Sequence, residues 1–424
     1  MTKIHFITQG CSANVADSEV MMGLLKESGS DIVDDVAQAD IVVFNTCTVK
    51  NPAVTDFNKN LKNIKEKYPN KKIVIAGCVP QSQPKEYSEY SKIGTYQIKN
   101  ITKVVDETVK GNVVSYLETN DEGRLNLPKV RKNNLIEITS ILQGCLNVCS
   151  FCKTKQARGN AKSYPIRDIV RHISQSAKEG VKEIWLTSQD NAVYGLEFDS
   201  NLAELLKEIV SIDRDFKLRV GMGNPKYMLA YLDDLIKVMK NPKIFKFIHI
   251  PLQAGSNKVL EHMKRGYTAE EFVYIVKKFR EVIPEISIMT DIICGYPTET
   301  REDFEETIKI IKETRPDGIN VSRFWPRPGT PAAKLKQIDG AEAKERCKKM
   351  MELFTTVAKE NNQKWIGWQG KILISEKGKN NTSVGKNYAY KQVVIAEDIP
   401  IGQEVRVKVT SATPLDVRGE IVND

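Results

Sequence analysis

The sequence predicts an α/β protein in three parts: an N-terminal doubly wound parallel sheet, a central partial (βα)6 barrel and a small C-terminal antiparallel β-barrel. Three observations carry this. Short β-rich runs alternate with amphipathic helical stretches up to about residue 335, the pattern of parallel strands joined by helical crossovers. Residues 118–134 (ETNDEGRLNLPKVRKNN) lose the apolar period and gather Gly, Pro and charge, which marks a linker. Beyond Trp365-Ile366-Gly367-Trp368 the period becomes two, as in antiparallel strands. The expected domains are 1–125, 135–360 and 361–424.

A chain of 424 residues is too long for one ordinary core. Its 41% hydrophobic and 28% charged residues read as globular, neither disordered nor membrane-spanning. No apolar run approaches the roughly eighteen residues of a membrane span, and MTKIHFITQG enters a strand pattern instead of a signal peptide. The expected location is the cytoplasm, with no membrane partner. Eight cysteines are too few for a disulfide scaffold, and in a reducing compartment such thiols more often serve metals or catalysis. A net charge of +9 favours a polyanionic partner, although a lysine-rich solvated surface has the same balance.

In the first part, Lys3-Thr8, Ile41-Asn45 and Lys72-Ala76 read as strands, with helices near 17–28 and 53–68. Cys11, Cys47 and Cys78 fall just past the carboxyl ends of these strands, the edge at which ligands bind in open α/β sheets. Small neighbours (Gly10, Thr46, Thr48, Gly77) let the backbone come close to a ligand. The three thiols can therefore form one tri-thiolate site; three separate buried thiols, packing as small apolar groups, are the alternative.

In the second part, strand-like runs recur at Ile136-Leu142, Glu183-Thr187, Lys217-Val220, Phe245-Ile250, Ser287-Ile292 and Gly318-Ser322. Helical stretches near 166–179, 201–210, 229–240, 269–281 and 302–313 separate them. The loop after the first run, Gly144-Cys145-Leu146-Asn147-Val148-Cys149-Ser150-Phe151-Cys152, holds three thiols in a C-x3-C-x2-C pattern. Three thiolates leave the fourth iron of a 4Fe-4S cluster open to a small molecule. A structural zinc site, the alternative, takes four ligands, usually from two C-x2-C units or with histidines.

Polar and glycine-rich residues gather at the carboxyl ends of the following strands, where function sits in such barrels. An amino-acid zwitterion there needs an acceptor for its ammonium and a cation for its carboxylate, which Gln189 and Arg219 can supply. The narrow backbone at Gly295, with Pro297 after it, can lie along an adenine. A basic strip, Lys153, Lys155, Arg158, Lys162, Arg167 and Arg171, with only Asp168 opposing, can hold phosphates beside the cysteine loop; it can equally be a solvated face. Arg323-Phe324-Trp325-Pro326-Arg327 adds cationic and aromatic groups after the sixth strand.

In the third part, Ala341 to about Asn361 reads as an amphipathic helix, with Cys347 and Met350 in its packing. Lys371-Ser375, Tyr390-Ile395 and Glu404-Thr410 then alternate between Gly and Asn turns. Small barrels of this form often bind oligonucleotides. Nine Lys or Arg against seven Asp or Glu in 361–424 argue only faintly for RNA, and a spacer role is the alternative.

Taken together, Gly10-Cys11-Ser12-Ala13-Asn14 with Asp17-Ser18-Glu19, Asn45-Thr46-Cys47-Thr48-Val49, Ala76-Gly77-Cys78-Val79-Pro80-Gln81 and the C-x3-C-x2-C loop resemble the radical S-adenosylmethionine (SAM) methylthiotransferases. The resemblance spans nearly the whole chain. It implies an auxiliary 4Fe-4S cluster on Cys11, Cys47 and Cys78, a SAM-binding 4Fe-4S cluster on Cys145, Cys149 and Cys152, a radical SAM barrel and an RNA-binding TRAM domain. SAM is then expected against Phe151, Gln189, Arg219, Gly295 and Pro297. Cys152-Lys153-Thr154-Lys155-Gln156-Ala157-Arg158-Gly159, Tyr164-Pro165 and Trp185-Leu186-Thr187-Ser188-Gln189-Asp190 resemble the branch acting on N6-threonylcarbamoyladenosine at tRNA position 37, beside the anticodon.

That branch implies a methylthio group added at carbon 2, with an external electron donor and a sulfur source as further partners. Lys153, Lys155, Arg158 and Arg327 are candidate substrate contacts. Eukaryotic members append a membrane anchor; with the sequence ending at Asp424 the expected organisation is archaeal or bacterial. Isopentenyladenosine in tRNA, or an aspartate of a ribosomal protein, are the alternative substrates. A non-catalytic, metal-containing RNA-binding protein is the alternative of another class.

Overall fold

The computed structural model describes residues 1–48, 51–120 and 123–422, with the side chains of 51 and 52 excepted. Val49 of the second signature and Asp121 and Glu122 of the linker lie outside the described residues. The chain divides into two compact units: Met1–Asp190 with Tyr194–Asp199 and Arg327–Thr330, and Asn191–Val193 with Ser200–Pro326 and Pro331–Asp424.

The first unit begins β1 (Lys3–Thr8), α1 (Ser12–Glu27), β2 (Asp31–Ile32), β3 (Ile41–Thr46), α2 (Asn51–Lys67), β4 (Lys72–Gly77), α3 (Cys78–Ser82), β5 (Ser91–Gly94), α4 (Ile101–Val109) and β6 (Ser115–Tyr116). All pairs are parallel, in the order β2-β1-β3-β4-β5-β6. Successive side chains of a strand point to opposite faces, and both faces here are apolar. Ile41 and Val43 join Val20, Met21, Leu25, Val104 and Val105 of α1 and α4. Val42 and Phe44 join Phe57, Leu61 and Ile64 of α2. Each such fully buried side chain contributes about 1.5–3 kcal/mol. The sequence order reverses between β1 and β3, so their carboxyl ends open a crevice.

The first unit continues with β7 (Ile136–Ser140), β8 (Leu142–Gln143), α5 (Thr154–Arg158), β9 (Lys162–Ser163), α6 (Ile166–Lys178) and β10 (Glu183–Thr187). Strands β7 and β10 run parallel, and β8 and β9 antiparallel. The stretch read as a linker is strapped to its surroundings. Val130 N–H donates to the Glu19 carbonyl at 2.9 Å, and Lys132 N–H to Glu19 Oε1 at 3.0 Å. Arg124 pairs with Asp17, and Lys129 and Arg131 with the buried Glu137. Its charges thus serve buried carboxylates, which is why it shows no apolar period and yet is held.

The second unit contains α7 (Leu202–Val210), β11 (Lys217–Arg219), α8 (Pro225–Met228), α9 (Leu232–Met239), β12 (Phe247–His249), α10 (Asn257–His262), α11 (Ala269–Val282), β13 (Ser287–Cys294), α12 (Arg301–Thr314), β14 (Gly318–Arg323) and α13 (Gly340–Gln363). Strands β12, β13 and β14 are parallel neighbours, so the βα alternation read from the sequence is present. Capping boxes at Thr268/Glu271 and Thr300/Asp303 start α11 and α12.

Strands β15 (Gln369–Lys377), β16 (Ser383–Lys386), β17 (Gln392–Ile395), β18 (Glu404–Ala412) and β19 (Val417–Ile421) close a barrel in the order β15-β16-β17-β19-β18. On β18 buried and exposed residues alternate, Val405, Val407 and Val409 facing the core. One pair departs from the antiparallel expectation: β17 and β19 run parallel. The chain turns back through β18 before β19 closes the barrel, so the closing strand enters in the direction of β17. Among the described residues no helix is long and apolar enough to cross a membrane.

Candidate metal centre

Cys11, Cys47 and Cys78 follow β1, β3 and β4, three neighbours in the sheet. Adjacent strands lie about 4.8 Å apart, so the ladder itself crowds the three loops together. Gly10 has φ +108°, and a Cβ there would lie 2.5 Å from Cys47 Cβ and 2.8 Å from Cys47 Sγ. Only glycine permits that approach. Asn14, on the first turn of α1, ties the loops: its Nδ2 donates to the carbonyls of Gln9 (3.0 Å) and Thr46 (2.7 Å). Its Oδ1 lies 3.8 Å from both Cys11 Sγ and Cys78 Sγ and accepts a 2.8 Å bond from Arg158.

The loop after β8 is built with equal economy. A Cβ at Gly144 (φ +81°) would stand 2.0 Å from the Asn160 carbonyl, so glycine is required there too. Gly144 N–H donates to Gln189 Oε1 at 2.7 Å, and Cys145 N–H to the Gly159 carbonyl at 3.1 Å. Asn147 turns its N–H (3.4 Å) and Nδ2 (3.5 Å) toward Cys145 Sγ, and Thr154 turns its N–H toward Cys152 Sγ at 3.3 Å. N–H groups aimed at sulfur are the outer shell that stabilises iron-bound thiolates.

Charge links the two loops. Asp17, 1% exposed, meets Arg158, 2% exposed, at 2.7 Å, and Arg124 from the other side. Burial opposes the Arg158 charge, but Asp17, Cys78 and Cys11 more than offset it and hold the guanidinium above its ordinary range. Burial pushes the Cys78 thiol up, against the pull of Arg158. Burial, with Asp190, pushes Cys145 up to about 12. Thiolates at these positions are costly unless a metal cation takes them, and metal coordination deprotonates a thiol outright.

The donor set therefore fits a cluster. A buried hydroxyl without a hydrogen-bond partner, Thr48 Oγ1, stands next to Cys47 in sequence. Among the described residues no three His, Cys, Asp or Glu side chains converge on one metal ion. A cluster needs no such convergence, because each thiolate meets its own iron.

Several candidate residues are placed differently from expectation. Arg158, read as a substrate contact, is enclosed by Asp17 and Asn14 and is a brace. Arg219 lies with its guanidinium 5.2 Å from the Phe247 ring centroid and 5.4 Å from the Tyr390 ring centroid, within reach of a cation–π contact with both. Gly295 (φ +77°) is required because its Cβ would meet Ala343 of α13 at 2.6 Å, and its N–H is bound by Glu299 at 2.7 Å. One acceptor position of Gln189 is used by the cysteine loop.

Phe151 and Pro297 are half-buried. Lys155 donates to the Leu146 carbonyl at 3.3 Å. Arg167 and Arg171 are exposed around Asp168. Lys153 is only 5% exposed. Arg327 donates to the Thr48 carbonyl; burial lowers its pKa, against the pull of Cys47 and Cys152, one from each set.

Asn14 and Asp17 stand in the first signature with no role legible from the sequence, and Gln143 falls outside every motif. Both polar atoms of Gln143 are buried without a partner, directly before the cysteine loop. A glutamine ending the apolar Ile141-Leu142 run was the available signal. A cavity of about 560 Å³ lies at the opposite, amino edge of the parallel sheet, beside Asp40, Lys71 and Lys72. Lys71 is bound to the carbonyls of Ala37 and Ala39 and Lys72 to that of Val109, and no thiol lines the cavity.

Comparison with known proteins agrees with this layout. Residues 3–96 match the uncharacterized protein family UPF0004, residues 139–311 the radical SAM superfamily and residues 369–422 the TRAM domain. The radical SAM methyltransferase TsrM from Kitasatospora setae has a similar fold, with TM-score 0.58 at 15% identity over 78% of this chain and 75% of that one.

A threonylcarbamoyladenosine tRNA methylthiotransferase of Homo sapiens is 42% identical over 436 residues, covering 100% of this chain and 74% of that protein. A probable one from Pyrococcus horikoshii is 37% identical over 428 residues, covering 100% of both. With such identity along its full length, and with the cysteine loops at the strand ends where the signatures place them, the chain belongs to the threonylcarbamoyladenosine tRNA methylthiotransferase family.

Proposed function

We propose that this enzyme adds a methylthio group to carbon 2 of N6-threonylcarbamoyladenosine at position 37 of tRNA. In this reading Cys11, Cys47 and Cys78 hold an auxiliary 4Fe-4S cluster, and Cys145, Cys149 and Cys152 hold the cluster that binds SAM. The observation that carries it is the Asn14–Asp17–Arg158 junction, which joins the two cysteine loops through one buried set of contacts. When bound, the clusters and SAM supply the radical chemistry and the sulfur that an unactivated aromatic C–H position requires, with electrons and sulfur delivered by external partners.

The chain's own residues do the positioning. Asn14 fixes the spacing of the Cys11 and Cys78 loops, and Asn147 and Thr154 orient the thiolates of the second set. Gln189 pins the turn at Gly144. The anticodon loop is already single-stranded, so turning base 37 outward costs little. The closed β15–β19 barrel is the expected grip on RNA, as in other small barrels.

Paired variants test the reading. Cys149→Ala is expected to abolish SAM cleavage, whereas Cys47→Ala is expected to keep SAM cleavage and lose methylthiolation. Full product formation by Cys47→Ala would overturn the two-cluster assignment. For the substrate, nucleoside mass spectrometry of a strain lacking the enzyme should show loss of the methylthio form of threonylcarbamoyladenosine; its persistence refutes the choice.

A further inference from the structure

Lys153 is the side chain that the mechanism above leaves unexplained. It is 5% exposed, and among the described residues it has no hydrogen bond or ion pair. Buried ammonium groups are otherwise paired, because an isolated one pays a large desolvation penalty. It directly follows Cys152, and Arg327, which donates to the Thr48 carbonyl next to Cys47, acts on it as a second cation. The opposing charge acting on Lys153 is that of Glu86, which is exposed. Lys153 thus adjoins Cys152 and Arg327 is bound to the residue after Cys47, so one cation stands beside a thiol of each cysteine set.

We propose that Lys153, seconded by Arg327, seats the carboxylate of the threonylcarbamoyl group, and so separates this substrate from adenosines whose N6 substituent is absent or uncharged. The assignment rests on the proposed substrate. An RNA phosphate is a poorer occupant, since the backbone tracks exposed surface, where Lys162, Arg167 and Arg171 stand. A group carried in on the base itself is the better match for an ammonium as enclosed as that of Lys153.

The test uses reconstituted holoenzyme, kept anaerobic, and three anticodon stem-loops. They carry threonylcarbamoyladenosine, its threonyl carboxamide, or plain adenosine at position 37. Affinities are read by fluorescence anisotropy at one fixed salt concentration. A charge-assisted contact predicts that wild type prefers the carboxylate over the carboxamide about ten- to a hundredfold. In Lys153→Met, which keeps the length of the side chain, that ratio should collapse toward unity. Arg327→Gln should reduce it, and Lys153→Arg should restore part of it.

A ratio that survives in Lys153→Met overturns the seat alone. So does an equal loss of affinity for all three loops, the mark of a phosphate contact. SAM affinity measured without RNA separates the remaining source of a carboxylate: a fall there, with the RNA ratio intact, would assign Lys153 to SAM and overturn the proposal. Wild type that binds all three loops alike would sink both the seat and the substrate reading.

Discussion

Replacing Asp17 by Asn should damage the molecule more than any single change at its two partners. Asp17 is 1% exposed, and Arg158 and Arg124 are 2% and 5% exposed. Removing one member of a buried ion pair costs about 3–5 kcal/mol, and here the change strands two guanidiniums against each other. Arg158→Met leaves Asp17 paired with Arg124 and forfeits the bond to Asn14, so its cost should sit nearer the 1–3 kcal/mol of a lost buried contact, roughly. The double variant should cost less than the sum of the two, because the second change removes a charge that the first left unpaired.

Urea unfolding of the reconstituted protein, followed both by circular dichroism and by iron release, measures this. Two signals are needed because a chain of two compact units need not unfold in one step. An Asp17→Asn midpoint equal to wild type, or strictly additive costs, would refute the claim that these three charges form one buried unit.

Gly10→Ala forces a side chain at φ +108° into the space of Cys47; anaerobic iron analysis should fall from about eight toward about four per chain, and a full complement would show that the close approach is dispensable. At Glu137 burial resists ionisation, but Lys129 and His172 outweigh it and hold the carboxyl below its ordinary range. Its stabilisation is therefore present above the unfolded value of about 4.3 and is lost as pH falls through the lower folded value. The stability gap between wild type and Glu137→Gln should be widest near neutrality and shrink in acid; parallel acid limbs would contradict this. Arg219→Ala removes the cation held near Phe247 and Tyr390, a contact of about 0.5–2 kcal/mol. Hydrogen exchange around 388–391 should speed up by the corresponding factor, and unchanged exchange would show that the contact is incidental.

The parallel sheet was legible because runs such as Ile41-Val42-Val43-Phe44 are apolar on both faces, a pattern few other elements share. Cys11, Cys47 and Cys78 were legible because each lies within three residues of the end of a strand, and the adjacency of the three strands then crowds them together. What the sequence could not convey was the partner of each charge. Residues 118–134 look like a linker because Arg124 finds its carboxylate far back in the chain, at Asp17, while Lys129 and Arg131 find theirs at Glu137 on the following strand. Gln189, Arg219 and Gly295 sit where the strand pattern puts them, but their contacts go to Gly144, to aromatic rings and to Ala343.

The basic segment after Cys152 shows why charge counting stops short. Lys153 and Arg158 are both buried and lie five residues apart, and either could be read as a substrate cation. Arg158 has Asp17 and Asn14 closed around it, so an incoming carboxylate would have to displace a buried ion pair and its hydrogen bonds. Lys153 has no such complement. An anion entering beside it relieves a desolvation penalty already incurred. Specificity for a charged substituent follows from that asymmetry, since an uncharged substituent would leave the ammonium buried and unpaired.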